Sequence, residues 1–259
     1  MRFALGVEYD GSDFSGWERQ PGQRTVQSTL ESALAFVAAQ PVATVCAGRT
    51  DAGVHARVQV VHFDSPAARE PHQWVLGANS ELPGDVSVRW ACPVTDEFHA
   101  RYSALRRHYR YVIQNSRQRS ALLRFRAAWE RGPLDAEPMQ SGAAHLLGEH
   151  DFSSFRAAAC QARNPVRTVH SLEVRRHGDL VCIDIAANAF LQHMVRNLAG
   201  ALIEVGKGKR EPDWIKELLA ARDRTRGAAT APPQGLYLFG VDYPPEHRLP
   251  AVSSEWLLW

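Results

Sequence analysis

Val45-Cys46-Ala47, then Gly48-Arg49-Thr50-Asp51-Ala52-Gly53-Val54-His55-Ala56, then Val58-Gln59-Val60-Val61-His62-Phe63: an apolar run, a polar loop and a second apolar run. The two runs read as strands, and the loop between them holds one carboxylate, Asp51, between Gly48 and Gly53. Glycines at such places let a ligand come close to the backbone. Arg49 precedes the carboxylate by two residues and His55 follows it by four. Polar loops carried on a rigid scaffold are where catalytic groups are held, although the same letters also suit an ordinary turn.

Working outward, Phe3, Leu5, Val7 and Tyr9 alternate as on one face of a half-buried strand. Val26, Leu30, Ala33, Leu34 and Val37 follow helical spacing, with Thr25 as an N-cap and Pro41 beyond the end. Trp74 to Asn79 predicts a short helix after Pro71, and Val86, Val88 and Trp90 alternate as a strand. Strand, helix, strand, strand, helix, strand is the order of a split β-α-β, ferredoxin-like unit. A second succession starts at His108 to Gln114, with Tyr109, Tyr111 and Ile113 on one face. It continues with a helix from Asp135 to Leu147, a loop from Gly148 past Phe155, and strands over 169–175 and 180–185 turned at His177-Gly178-Asp179. Helices over Phe190 to Val205 and Pro212 to Ala221 follow, then a strand from Leu236 to Tyr243 that ends at Pro244-Pro245. The predicted fold is α+β: two ferredoxin-like halves with mainly antiparallel sheets, 1–104 and 105–245, and a tail over 246–259.

With 259 residues, 45% of them hydrophobic, the chain can bury a core of one large or two small domains. No apolar run approaches the roughly 18 residues of a membrane span, and the N-terminus lacks the pattern of a signal peptide. Four cysteines without a C-x-x-C pair argue against a zinc ribbon or disulfide framework and fit a reducing cytoplasm. All four are expected to be inert core residues. His55 and His62, seven apart, lack metal-helix spacing and are read as packing or ligand-contact residues. No clustered ligands are present for a metal-dependent hydrolase, so no metal is expected. The net charge is only +2, but the basic residues cluster: Arg101, Arg106, Arg107, Arg110; Arg117, Arg119, Arg124, Arg126; Lys207, Lys209, Arg210; and Arg222, Arg224, Arg226. Such clusters suit solvated faces as well as phosphate contact.

The chain resembles the TruA family of tRNA pseudouridine synthases from about Phe3 to about Pro244. Besides the Asp51 loop, the matching blocks are Glu8-Tyr9-Asp10-Gly11-Ser12 with Gly16-Trp17, Phe98-His99-Ala100-Arg101 and Tyr109-Arg110-Tyr111. Asp151 to Arg156, Asn188-Ala189-Phe190 and His193-Met194-Val195-Arg196-Asn197 complete the set. One departure is Glu18, where the family typically has glutamine after Gly-Trp.

The resemblance implies an enzyme that isomerises uridine to pseudouridine at positions 38 to 40 of the tRNA anticodon stem-loop, without a cofactor. It also implies a homodimer and a basic cleft between the two halves. Asp51 takes the place of the catalytic aspartate, and Arg196 that of its guanidinium partner. Tyr109 matches the tyrosine that stacks on the target base, Arg49 fills the vacated stack or holds the flipped phosphate, and Leu236 is an apolar wall. The reaction breaks the C1′–N1 bond and joins C1′ to C5, and a carboxylate can start it at C6, at the C2′ proton or at C1′. Burial alone disfavours an ionised carboxylate, and a nearby guanidinium offsets that cost. The competing reading is a non-catalytic RNA-binding module or chaperone, which has no need of a carboxylate facing an RNA backbone.

Overall fold

The computed structural model describes residues 1–250. The chain forms two compact units: Met1–Leu105 together with the chain from Leu238 onward, and Arg106–Tyr237.

In the first unit, β1 (Arg2–Tyr9), α1 (Val26–Ala38), β2 (Val45–Cys46), β3 (His55–Asp64), α2 (Pro71–Glu81) and β4 (Val86–Val94) follow one another. The sheet runs β4-β1-β3-β2 with every neighbouring pair antiparallel. Two strands joined through α1 therefore have β3 between them, which is the split β-α-β arrangement. The alternation on β1 buries Phe3, Leu5 and Val7. Trp74 of α2 docks there: its ring lies 5.5 Å from Phe3 and meets Phe63 edge-on at 4.9 Å. Aromatic contacts of this geometry add to area burial by about 0.5–1.5 kcal/mol per pair. At the start of α1 the Thr25 hydroxyl accepts from Ser28 N–H, satisfying one of the free donors of the first turn. Buried Glu31 on α1 accepts from the Thr44 amide at 2.8 Å and the Thr44 hydroxyl at 3.0 Å, fixing the approach to β2.

The second unit contains β5 (Arg106–Asn115), β6 (Ala128–Glu130), α3 (Ala136–Ala144), β7 (Gly148–Asp151), β8 (Val166–His177), β9 (Leu180–Ala187), α4 (Met194–Gly206) and α5 (Trp214–Ala221). Strand β10 (Leu236–Asp242) begins in this unit and passes into the first at Leu238. β5 pairs with β9, β9 with β8 and β8 with β7, all antiparallel, while the short β6 lies parallel to β5. The order β5-β9-β8, with α3 between β5 and β8, repeats the order β1-β3-β2 of the first unit. The fold is α+β with mainly antiparallel sheets. Among the described residues, no helix is long and apolar enough to cross a membrane.

Several local expectations need correction. β3 starts at His55, so two residues of the polar loop belong to the strand. α3 ends at Ala144 because the following amides close tighter turns, Leu146 N–H to Ala143 and Leu147 N–H to Ala144, before Gly148 at φ +92°. Gly148–Asp151 is an edge strand on β8 rather than a loop. α4 starts at Met194, not Phe190, since His193 at φ +61° breaks the helical run. Only Cys46 is buried; Cys92, Cys160 and Cys182 are partly exposed. Burial pushes the Cys46 thiol up to about 12, so it stays protonated and inert. Of the tail, the described residues begin with a 3-10 turn in which His247 meets Phe98 edge-on at 5.0 Å; Trp256 to Trp259 lie outside the described residues.

His62 on β3 accepts from the Ala100 amide at Nδ1, 3.1 Å away, and packs against His99. Burial, helped by the His99 and Arg2 charges, lowers its pKa from 6.5 to about 4. The unfolded chain thus binds the extra proton first as the pH falls, so stability is lost from about 6.5 down to about 4. In urea unfolding, His62→Gln is expected to flatten the pH dependence in that window; an unchanged slope would mean another group controls it.

Candidate active site

The loop between β2 and β3 is clamped by backbone and side-chain bonds in the first unit. At its start, fully buried Gln59 donates to Gly48 C=O at 2.6 Å and accepts from Gly48 N–H at 3.3 Å. Next, Tyr9 and Thr50 share a buried hydroxyl–hydroxyl hydrogen bond of 2.7 Å. Trp17 N–H donates to Thr50 C=O at 3.0 Å, and Gly53 N–H to Phe14 C=O at 3.3 Å. The Phe14–Trp17 segment therefore cradles the backbone on either side of Asp51. Asp51 itself closes a turn by accepting at its carbonyl from Val54 N–H, and its residue is part-exposed. A side chain that is part-exposed on a backbone held at both ends is the arrangement that a positioned catalytic group needs.

The cradle depends on Gly16. Its φ of +98° lies in the region favouring glycine, and a Cβ there would sit 2.9 Å from Thr50 O and 3.2 Å from Ala52 N. Gly16→Ala is expected to cost about 1–3 kcal/mol in urea unfolding and to lower activity in the protein that still folds. Full activity would show that the loop does not need this clamp. The glycine was visible in the sequence; its close approach to Thr50 was not, because thirty-odd residues separate the two segments.

Asp10 and His55 support the other side of the loop. His55 is buried, and its Nδ1 lies 3.0 Å from both Asp10 Oδ1 and the Gly11 amide. Protonated, it donates to the carboxylate; neutral, it accepts from the amide. His55, with the Ser12 hydroxyl and amide, holds the Asp10 carboxyl well below the usual range. Arg49 is exposed, with Nε 2.5 Å from Glu18 Oε2. The unusual Glu18 thus pairs with the loop arginine. An exposed pair of this kind is worth little, so a phosphate can displace it.

In the second unit, Tyr109 on β5 is buried and meets Phe190 edge-on at 4.9 Å. Arg196, in the first turn of α4, donates from Nε to Ala231 C=O at 2.8 Å, and Ala231 N–H returns a bond to Arg196 C=O. Tyr111 OH donates to Pro232 C=O at 2.8 Å. These bonds fix the segment leading to Leu236, buried at the start of β10. Asn197 completes the support: its amide donates to Phe155 C=O, and its oxygen accepts from Thr230 Oγ1 and Arg224. Of the predicted site residues, Asp51 and Arg49 therefore share one loop of the first unit. Arg196 and Leu236 are joined through one strap of the second, with Tyr109 on β5. The sequence alone gave no hint of the strap, because its bonds are mostly to backbone carbonyls.

Among the described residues, no group of three His, Cys, Asp or Glu is placed to hold a metal ion. A carboxylate on a clamped loop is a group that acid–base or nucleophilic chemistry can use. The sequence profile described as tRNA pseudouridine synthase matches residues 6–103 and 143–244. Proteins named tRNA pseudouridine synthase A match along nearly the whole length. That of Nitrosococcus oceani is 56% identical over 259 residues, covering 100% of both chains. That of Methylococcus capsulatus is 58% identical over 249 residues, covering 96% of this chain and 92% of its own. That of Coxiella burnetii is 54% identical over 251 residues, covering 97% and 96%. The chain belongs to the tRNA pseudouridine synthase family.

Proposed function

We propose that this chain converts uridines 38, 39 and 40 of the tRNA anticodon stem-loop to pseudouridine, with Asp51 as the nucleophile or base. Family membership makes the chain an isomerase acting on tRNA. The observation that carries the assignment to Asp51 is the clamp: Gln59, Trp17 and Phe14 fix the backbone on both sides of a single part-exposed carboxylate.

The target uridine must leave the stack to be reached, at a cost of a few kcal/mol. Arg49, whose ion-pair partner among the described residues is part-exposed Glu18, exchanges that partner for the flipped nucleotide's phosphate or fills the space in the stem. Tyr109 stacks on the uracil, with Leu236 as the apolar wall beside it; stacking of this kind contributes about 1–3 kcal/mol. In this reading Arg196 is the guanidinium that serves the reaction Asp51 starts, whether by adding to C6, taking the C2′ proton or attacking C1′. After the C1′–N1 bond breaks and the uracil turns, C1′ bonds to C5 and the C5 proton departs. The enzyme works as a cytoplasmic homodimer without a cofactor.

Incubation with unmodified tRNA transcripts, followed by carbodiimide treatment and primer extension, tests the site choice. Stops are expected at positions 38 to 40; stops confined to another arm would refute it.

A further inference from the structure

Several residues of the basic clusters are ion-paired or hydrogen-bonded in the folded chain. Arg110 makes a two-pronged pair with Asp184, which Arg175 also contacts. Lys207 pairs with Glu130 and Glu204, Lys209 with Glu204, and Arg222 with Asp151. Arg224 is bound to Asn197 and Thr230. The segment 116–126, between β5 and β6, is different. Arg117, Arg119 and Arg124 are exposed and, among the described residues, have no ion-pair partner.

These arginines do not sit on a loose loop. The buried Gln114 side chain donates to Ser116 Oγ at 2.7 Å and to Gln118 C=O at 3.1 Å, and accepts from Ser120 N–H at 3.0 Å. Leu123 N–H donates to Ser120 Oγ, Tyr237 OH to Arg126 C=O at 2.6 Å, and Trp129 Nε1 to Ser116 C=O at 2.9 Å. Yet this braced segment exposes apolar side chains: Leu122 is 81% exposed, Phe125 50% and Trp129 44%. Arg124 lies over the Phe125 ring at 4.5 Å. Unpaired arginines interleaved with open aromatic rings on a preformed backbone match single-stranded nucleic-acid recognition: charge for the phosphates, rings for the bases.

We propose that the 116–126 segment, with Trp129, is a second tRNA-contact surface. It takes backbone phosphates on Arg117, Arg119 and Arg124 and an unpaired base on Phe125 or Trp129. The proposal rests on the tRNA reading above but names a place apart from the target-uridine site. Tyr109 and Asn115 are six residue steps apart on the same strand, β5, or about 20 Å. The segment leaves and returns at the Asn115 end, where Ile113 to Asn115 pair with β6. The nucleotide it holds is therefore not the one being isomerised. A second copy of the chain fits this surface less well, since a two-fold contact sets the patch against its own image and brings unpaired arginines together.

The test compares the wild type with the combined variant Arg117→Gln, Arg119→Gln, Arg124→Gln, and separately Phe125→Ala, in equilibrium binding of a full-length unmodified tRNA transcript. The triple variant is expected to bind about tenfold or more weakly at 0.15 M salt, with its log–log salt slope shallower by about 2 to 3. Phe125→Ala is expected to weaken binding several-fold with the slope unchanged. Wild-type affinity and slope in the triple variant, with circular dichroism unchanged, would overturn the proposal. So would a change in sedimentation, with each protomer's tRNA affinity intact, which would make the surface a protein contact. Either result would leave the catalytic reading untouched, whereas a wild type that forms no pseudouridine would sink that reading itself.

Discussion

Arg196→Ala is expected to lower kcat/KM on tRNA by about 10²- to 10³-fold, the usual cost of removing a fixed charge aimed at a reacting group. The geometry makes the expectation specific. Nε is already committed to Ala231 C=O at 2.8 Å, so the guanidinium is oriented before substrate arrives. Lysine lacks that fork, and Arg196→Lys is expected to recover little activity. Glutamine separates charge from anchoring, because its amide can still donate to a carbonyl while carrying no charge. If Arg196 acts by charge, Arg196→Gln stays as inactive as the alanine variant, and added guanidinium partly rescues Arg196→Ala. If it merely holds the 231–236 strap, glutamine restores turnover, and the alanine variant shows its loss chiefly as a lower Tm.

Much of this fold was open to reading along the chain. The alternation of Phe3, Leu5, Val7 and Tyr9, and the spacing of Val26, Leu30 and Leu34, each mark a face that is buried, although β1 buries Ala4 and Gly6 on its other face as well and is not half-buried. Long periodic segments declare themselves because one face must leave water. What escaped notice was short or non-local. β6, three residues long, and β7, four, have no room for periodicity and exist because β5 and β8 offer them unpaired backbone. α4 starts later than the spacing predicts because His193, at φ +61°, stands outside the helical run, which opens only at Met194.

The site divides the same way. The Asp51 loop stood out as a carboxylate between glycines. Its clamp by Gln59, Gly16 and Trp17 did not, since those contacts join segments distant in sequence. The arginine clusters were ambiguous for a related reason. Charge in a sequence says nothing of partners, and Arg110 pairs with Asp184 while Arg117, Arg119 and Arg124 have no ion-pair partner among the described residues.

Asp51→Asn is expected to have the largest effect of all. The amide matches the carboxylate in size and leaves intact the loop bonds made at Gly48, Thr50 and Gly53. It lacks the negative charge needed to add to C6, take the C2′ proton or attack C1′, so every route stops at its first step. The variant should fold, with the wild-type Tm to within a few degrees, and should bind tRNA. Tritium release from tRNA labelled at uridine C5, measured on Asp51→Asn whose tRNA binding has been verified, is the most direct test. No release above the enzyme-free background is the result expected; release at the wild-type rate would contradict the assignment of the chemistry to Asp51.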